Sequence, residues 1–184
     1  MANESNLVWM DLEMSGLDPK TCVILEIATL ITDKDLNLIA QGPALVVHQP
    51  DSVLEAMDDW NKEHHGASGL AKAVQKSTIT LAQAEQQTLD FIAQHCGPKS
   101  SPLCGNTIYQ DRRFLIEYMP KLESYLHYRL VDVSTIKELV KRWYGPEFQA
   151  PNKKQKHKAL DDILETVEEL KFYRKKVFKS ADSC

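Results

Sequence analysis

Two carboxylates interrupt a segment that otherwise reads as a buried strand, and no other feature restricts the fold of this chain more. Leu7, Val8, Trp9, Met10, Leu12 and Met14 form an apolar run, yet Asp11 and Glu13 stand within it two positions apart. Side chains alternate along a strand, so both acids face the same side, with Cα atoms roughly 6.5 Å apart. Two bare carboxylates on a buried face repel each other and lose hydration, at a cost of several kcal/mol. A cation between them removes the conflict, and an all-oxygen donor set suits Mg²⁺ or Mn²⁺. A second reading ends the strand near Met10 and leaves both acids solvated in a loop. The motif alone divides between the two.

The chain has 184 residues, enough for one domain with a real core, expected to run from about residue 7 to 178. A formal charge of −4 argues against nonspecific gripping of long nucleic acid, which depends on many Lys and Arg contacts to phosphate. It leaves open an enzyme whose substrate carries few phosphates. No apolar run approaches the roughly 20 residues that span a bilayer, and Met1–Asn6 has neither a basic nor an apolar leader region. Cys22, Cys96, Cys104 and Cys184 form no CxxC pair. A reducing, cytoplasmic setting is therefore expected.

Three apolar segments open the chain: Leu7–Leu12, Val23–Thr32 and Leu36–His48. Turn-rich Ser15–Pro19 and Asp33–Asp35 separate them, so all three read as strands. Further strands fit Leu103–Gly105 and Arg129–Val133. Helices fit the stretch from Thr80 to Gly97-Pro98, then Gln110–Met119, Ser134–Tyr144 and Ala159–Phe178, with a loop over Gly145–Lys156. Strands followed by helices predict an α/β layer fold with a mixed sheet.

Two further segments carry unusual polar residues. Asp111 opens a helix whose apolar positions, Phe114, Leu115, Tyr118 and Met119, lie three, four, seven and eight residues further on. That spacing sets the acid on the inward stripe, although a first-turn acid also suits the helix dipole. His157 precedes the last helix, whose first turn holds Asp161 and Asp162. The stripe Leu160, Ile163, Leu164, Val167, Leu170, Arg174 and Val177 leaves both aspartates on its flanks, so periodicity does not choose between them.

Taken together, Asp11-Leu12-Glu13-Met14-Ser15-Gly16-Leu17, the segment Gly105–Leu115 and His157-x-Ala159-x-x-Asp162 resemble the three exonuclease motifs of the DEDD superfamily, histidine type. Met57-Asp58-Asp59-Trp60-Asn61 and His127–Thr135 extend the likeness to the oligoribonuclease family, over Leu7 to about Tyr173. The resemblance implies an RNase H-like fold, a five-stranded mixed sheet flanked by helices, in a homodimer. It also implies 3′→5′ release of nucleoside 5′-monophosphates from very short RNA, mainly dinucleotides.

By the same resemblance, Asp11, Glu13, Asp111 and Asp162 hold two divalent ions, and His157 activates water. The family pattern selects Asp162 over Asp161. Two metals about 3.5–4 Å apart suit in-line phosphodiester hydrolysis, and a histidine with a pKa near 6.5 can accept a proton at neutral pH. Leu17 matches an apolar wedge between bases, Trp60 a stacking platform, and His65 a contact to the 3′ nucleotide. Thr107, Arg129 and Ser134 match a cap over the 5′ phosphate, and Tyr128 completes the site from the second subunit. Glu26, another acid in an apolar strand, is read as a structural partner. The alternatives are an exonuclease of the same superfamily for longer RNA or DNA, and a noncatalytic RNase H-like module. Loss of an acid or of the histidine would mark the latter, and none is missing.

Overall fold

Alternation along the first strand divides the core in two. In β1 (Leu7–Met14), Val8, Met10 and Leu12 face one side and join Ile27, Ile92, Phe114 and Leu115. Trp9 faces the other and joins Ala159, Ile163, Val167 and Tyr173. Asp11 and Glu13 continue the Trp9 face. The protein is described by a computed structural model for residues 5–151 and 159–179.

Five strands form one mixed sheet in the order β3–β2–β1–β4–β5. β2 (Ile24–Thr32) runs antiparallel beside β1 and β3 (Leu38–Val46) antiparallel beside β2, while β4 (Pro102–Gly105) and β5 (His127–Asp132) run parallel to β1. This is the mixed sheet expected from the sequence.

Helices cover both faces. On the Met10 face lies α4 (Leu81–His95), started by a reciprocal capping box between Thr80 and Gln83, together with α5 (Tyr109–Tyr118) and α6 (Pro120–Tyr125). On the Trp9 face lie α7 (Val133–Trp143) and α8 (Ala159–Lys176). Three short helices, α1 (Asp51–Glu55), α2 (Asp59–Ala67) and α3 (Leu70–Lys76), follow β3, and Leu54, Met57, Leu70 and Val74 pack around Leu25. The sequence reading did not resolve α1–α3 or α6.

Helix α8 differs from its expected stripe. Ala159, Ile163, Thr166, Val167, Leu170 and Tyr173 are buried, while Leu164 and Arg174 are exposed. The buried line is therefore rotated from the predicted one. Asp162 stands three residues after Ala159 and four before Thr166, on the side that meets β1.

β4 ends early, and that opens the sheet where the acids lie. Val8 and Trp9 pair with Leu103 and Cys104, but β1 continues five residues further. Gly105 lies close to β1 at the point of divergence. A Cβ there would stand 2.9 Å from the Met10 carbonyl oxygen and 2.7 Å from Ile108 Cδ1. Backbone on one side and a buried isoleucine on the other leave little room to relax. Gly105→Ala should destabilise the protein by about 1–3 kcal/mol, as overpacking does. Urea denaturation checks this, and an unchanged midpoint would show that the strands separate freely.

Candidate active site

The packing of α8 across β1 brings three carboxylates together. Oxygen atoms of Asp11, Glu13 and Asp162 all lie within 4.8 Å of one another. Asp111 approaches from α5. Beyond the end of β4, the Leu12 N–H has no strand partner on that side, and Asp111 Oδ1 accepts its hydrogen bond at 2.8 Å. The expected helix-stripe position of Asp111 is thus also a strand-capping position.

The register adds a fifth acid. Glu26 on β2 pairs directly with Glu13 across the ladder. It is a like-charged neighbour of Glu13, because an antiparallel register stacks same-face residues side by side.

The electrostatics follow from this crowding. Glu13 is pushed up from its ordinary 4.5 to about 7, first by burial and then by the charges of Asp162, Glu26 and Asp111. Asp111 is also pushed up to about 7, chiefly by burial, against the lowering effect of the Leu12 N–H bond. A half-buried cluster of oxygen donors that draws protons onto itself fits a divalent, oxygen-preferring cation.

Around the acids, the expected substrate residues take several positions. His65 is buried, with Nε2 2.9 Å from the Met14 carbonyl oxygen and Nδ1 3.9 Å from Glu13 Oε2. Trp60 is 59% exposed on α2 and stacks on His64, with centroids 3.7 Å apart, so it is not a core tryptophan. Leu17 is 72% exposed at the tip of the loop after β1. Thr107 and Ser134 meet, their hydroxyl oxygens 3.1 Å apart. Arg129 and Tyr128 lie on β5, with the guanidinium 5.4 Å from the centroid of the Tyr128 ring. That ring, not the hydroxyl pair, is its side-chain partner among the described residues. His157 lies outside the described residues.

Several residues at the site escaped sequence reasoning. Gln110, buried beside Asp111, donates to the Leu17 carbonyl, and Arg113 donates to the same oxygen at 3.5 Å. The Tyr118 hydroxyl reaches the carbonyls of Pro19 and Cys22, each at 2.8 Å. Helix α5 therefore holds both an acid of the cluster and the loop that carries Leu17. Its polar positions three and seven residues after Gln110–Asp111 were the available signal. Thr107 adopts φ +53°, a left-handed conformation that costs a β-branched residue on the order of 1–3 kcal/mol.

A family model described as exonuclease (RNase_T) matches residues 8–170. The chain belongs to the exonuclease family. Within that family its similar relatives are oligoribonucleases. It is 59% identical over 179 residues to that of Shewanella amazonensis, covering 97% of this chain and 98% of the relative. It is 54% identical over 179 residues to that of Marinobacter nauticus, covering 97% and 99%. It is also 55% identical over 174 residues to the human mitochondrial oligoribonuclease, covering 94% and 73%. The chain is accordingly a 3′→5′ exoribonuclease of the group that acts on short oligonucleotides.

The fold is RNase H-like. Escherichia coli exonuclease I in complex with a dA16 oligonucleotide superposes with a TM-score of 0.72 at 13% identity, over 94% of this chain and 41% of that one. Exonuclease I from Methylocaldum szegediense gives 0.67 at 16% identity, over 94% and again 41%. This chain thus spans well under half the length of those exonucleases.

Crowding of the acids predicts an unusual pH dependence of stability without metal. Glu13 takes up a proton in the folded state near pH 7 but in the unfolded state only near 4.5. Between those values the folded state binds more protons, so stability falls as pH rises and levels off above about 7. In EDTA, Glu13→Gln should raise the melting temperature at pH 8 and flatten that fall. Thermal melts from pH 4.5 to 8 test it. A variant that melts lower than the native chain at pH 8 would show that the charge of Glu13 is already compensated.

Proposed function

We propose that the chain removes nucleoside 5′-monophosphates from the 3′ ends of very short RNAs, chiefly dinucleotides. The convergence of Asp11, Glu13 and Asp162 from two elements, with Asp111 alongside, carries this reading. The four acids would hold two divalent ions, Mg²⁺ or Mn²⁺. Bound there, such ions supply Lewis acidity for water and relief of charge on the leaving oxygen.

The protein's own residues do the rest. His157, five residues before Asp162 in sequence, takes the proton from the attacking water. Trp60 and Leu17, both exposed, offer apolar surface to the two bases. His65 orients Glu13 and lies toward the 3′ nucleotide. Thr107, Arg129 and Ser134 receive the 5′ phosphate and close that end against a longer strand.

Tyr128 reaches the site of a partner copy in a homodimer. Tyr128 and Trp143, each 69% exposed, support this reading, because large aromatic surfaces of that kind mark interfaces. The chain acts as one domain. A reducing cytoplasm suits its free thiols at Cys22, Cys96 and Cys104.

The test is a time course on a 5′-phosphorylated dinucleotide beside a longer RNA, with and without Mn²⁺. The dinucleotide should disappear much faster, and only with metal. Equal rates would instead favour a general exonuclease. Asp162→Ala should lower turnover by at least about a hundredfold, the scale on which catalytic groups act, while Asp161→Ala should stay close to wild type. The reverse order would mean that Asp161 is the metal acid. His157→Ala should slow turnover while leaving Mn²⁺ affinity, measured by calorimetry, near that of the native chain. Loss of metal affinity would make His157 a ligand.

A further inference from the structure

β4 and β5 run parallel and end side by side, with Gly105 paired to Asp132. The loop after β4 and the first turn of α7 after β5 therefore emerge together, at the edge where parallel sheets bind ligands. Thr107 lies two residues beyond one strand and Ser134 two beyond the other. One carboxylate oxygen binds both segments. Asp132 Oδ1 accepts from the Thr107 N–H at 3.0 Å, from the Ser134 N–H at 3.0 Å and from the Ser134 hydroxyl at 2.6 Å.

This pattern exceeds the needs of a helix cap. Asp132 is the N-cap of α7, and the bond to the Ser134 N–H alone would serve that role. The same oxygen also reaches 25 residues back in sequence, to a threonine held at positive φ. It fixes a proton direction as well. With the Ser134 proton given to Asp132, the Ser134 oxygen faces the N–H and hydroxyl of Thr107 as an acceptor.

We propose that Asp132 is a positioning residue for recognition of the 5′ end. It holds Thr107 in its left-handed turn and aligns the two hydroxyls as one unit. The inference rests on the reading of Thr107 and Ser134 as a 5′-phosphate cap.

Three variants separate positioning from capping. Asp132→Asn keeps an acceptor oxygen at the same reach and caps a helix equally well. Asp132→Ser also caps a helix, but its shorter side chain cannot reach Thr107. Asp132→Ala loses both. KM and kcat are measured for 5′-phosphorylated and 5′-hydroxyl dinucleotides, with a thermal melt for each variant.

Asp132→Ser should raise KM for the phosphorylated dinucleotide about tenfold or more, the size of a lost charge-assisted contact, with a much smaller change in kcat. Its preference for the phosphorylated substrate should shrink in proportion while its melting temperature stays near wild type. Asp132→Asn should keep most of the preference, and Asp132→Ala should lose it together with stability. If Asp132→Ser keeps the wild-type preference, or raises both KM values equally, Asp132 is only a helix cap and the proposal fails. If the wild-type enzyme itself has no preference, the cap reading fails first, before any variant is made.

Discussion

Like charges packed within 4.8 Å of one another are the constraint on which this structure turns. Left to themselves, Asp11, Glu13 and Asp162 would separate into water. They stay together because the same strand and helix bury Trp9, Ile163, Val167 and Tyr173 a few residues away. Burying a single large apolar side chain is worth about 1.5–3 kcal/mol. A handful of such contacts offsets the repulsion of a partly protonated cluster. The acids are therefore preorganised by the core rather than gathered by a ligand, and cation binding has little conformational entropy to overcome.

Helix α5 extends that order to the rim of the site. Asp111 ties its first turn to the β1 backbone, and Gln110, Arg113 and Tyr118 tie its other faces to the loop from Ser15 to Cys22. A shift of this helix would move an acid of the cluster and the Leu17 loop together. The acid cluster and the Leu17 loop thus share one rigid element, the arrangement that productive geometry requires.

The parts of the site legible in the sequence were those with a local periodic signal. Asp11 and Glu13 broke a period-two apolar run, and Asp111 sat on a helix stripe with Phe114 and Leu115. The choice between Asp161 and Asp162 needed the true rotation of α8. Counting Leu164 and Arg174 as inward hid it, whereas the small or polar buried residues Ala159 and Thr166 and the aromatic Tyr173 set it. The closeness of Glu26 to Glu13 depends on strand register, which only the paired ladder reveals. Asp132 was invisible for a related reason: its partner Thr107 lies beyond a different strand. The short helices between Asp51 and Lys76 bury few residues each, too few for a periodic pattern to emerge.

The sheet also sets a length scale for what fits between the two ends of the site. Val8 and Trp9 lie level with Leu103 and Cys104, and Gly105 with Asp132, so Asp11 and the Thr107–Ser134 pair emerge at nearly the same height. Across the sheet, Thr107 follows the strand one spacing from β1 and Ser134 the strand two spacings away, a span of about 5–10 Å. Stacked nucleotides rise by about 3.4 Å each along a strand, so this gap spans only a few of them. On the proposed reading, hydroxyls held on the Asp132 carboxylate stand at one end of this gap and the acids at the other, and the 5′ end of the substrate stops at the hydroxyls. On that proposal, selection for short RNA follows from β1, β4 and β5 lying in order in one sheet and from the β1–β4 pairing stopping five residues before the end of β1.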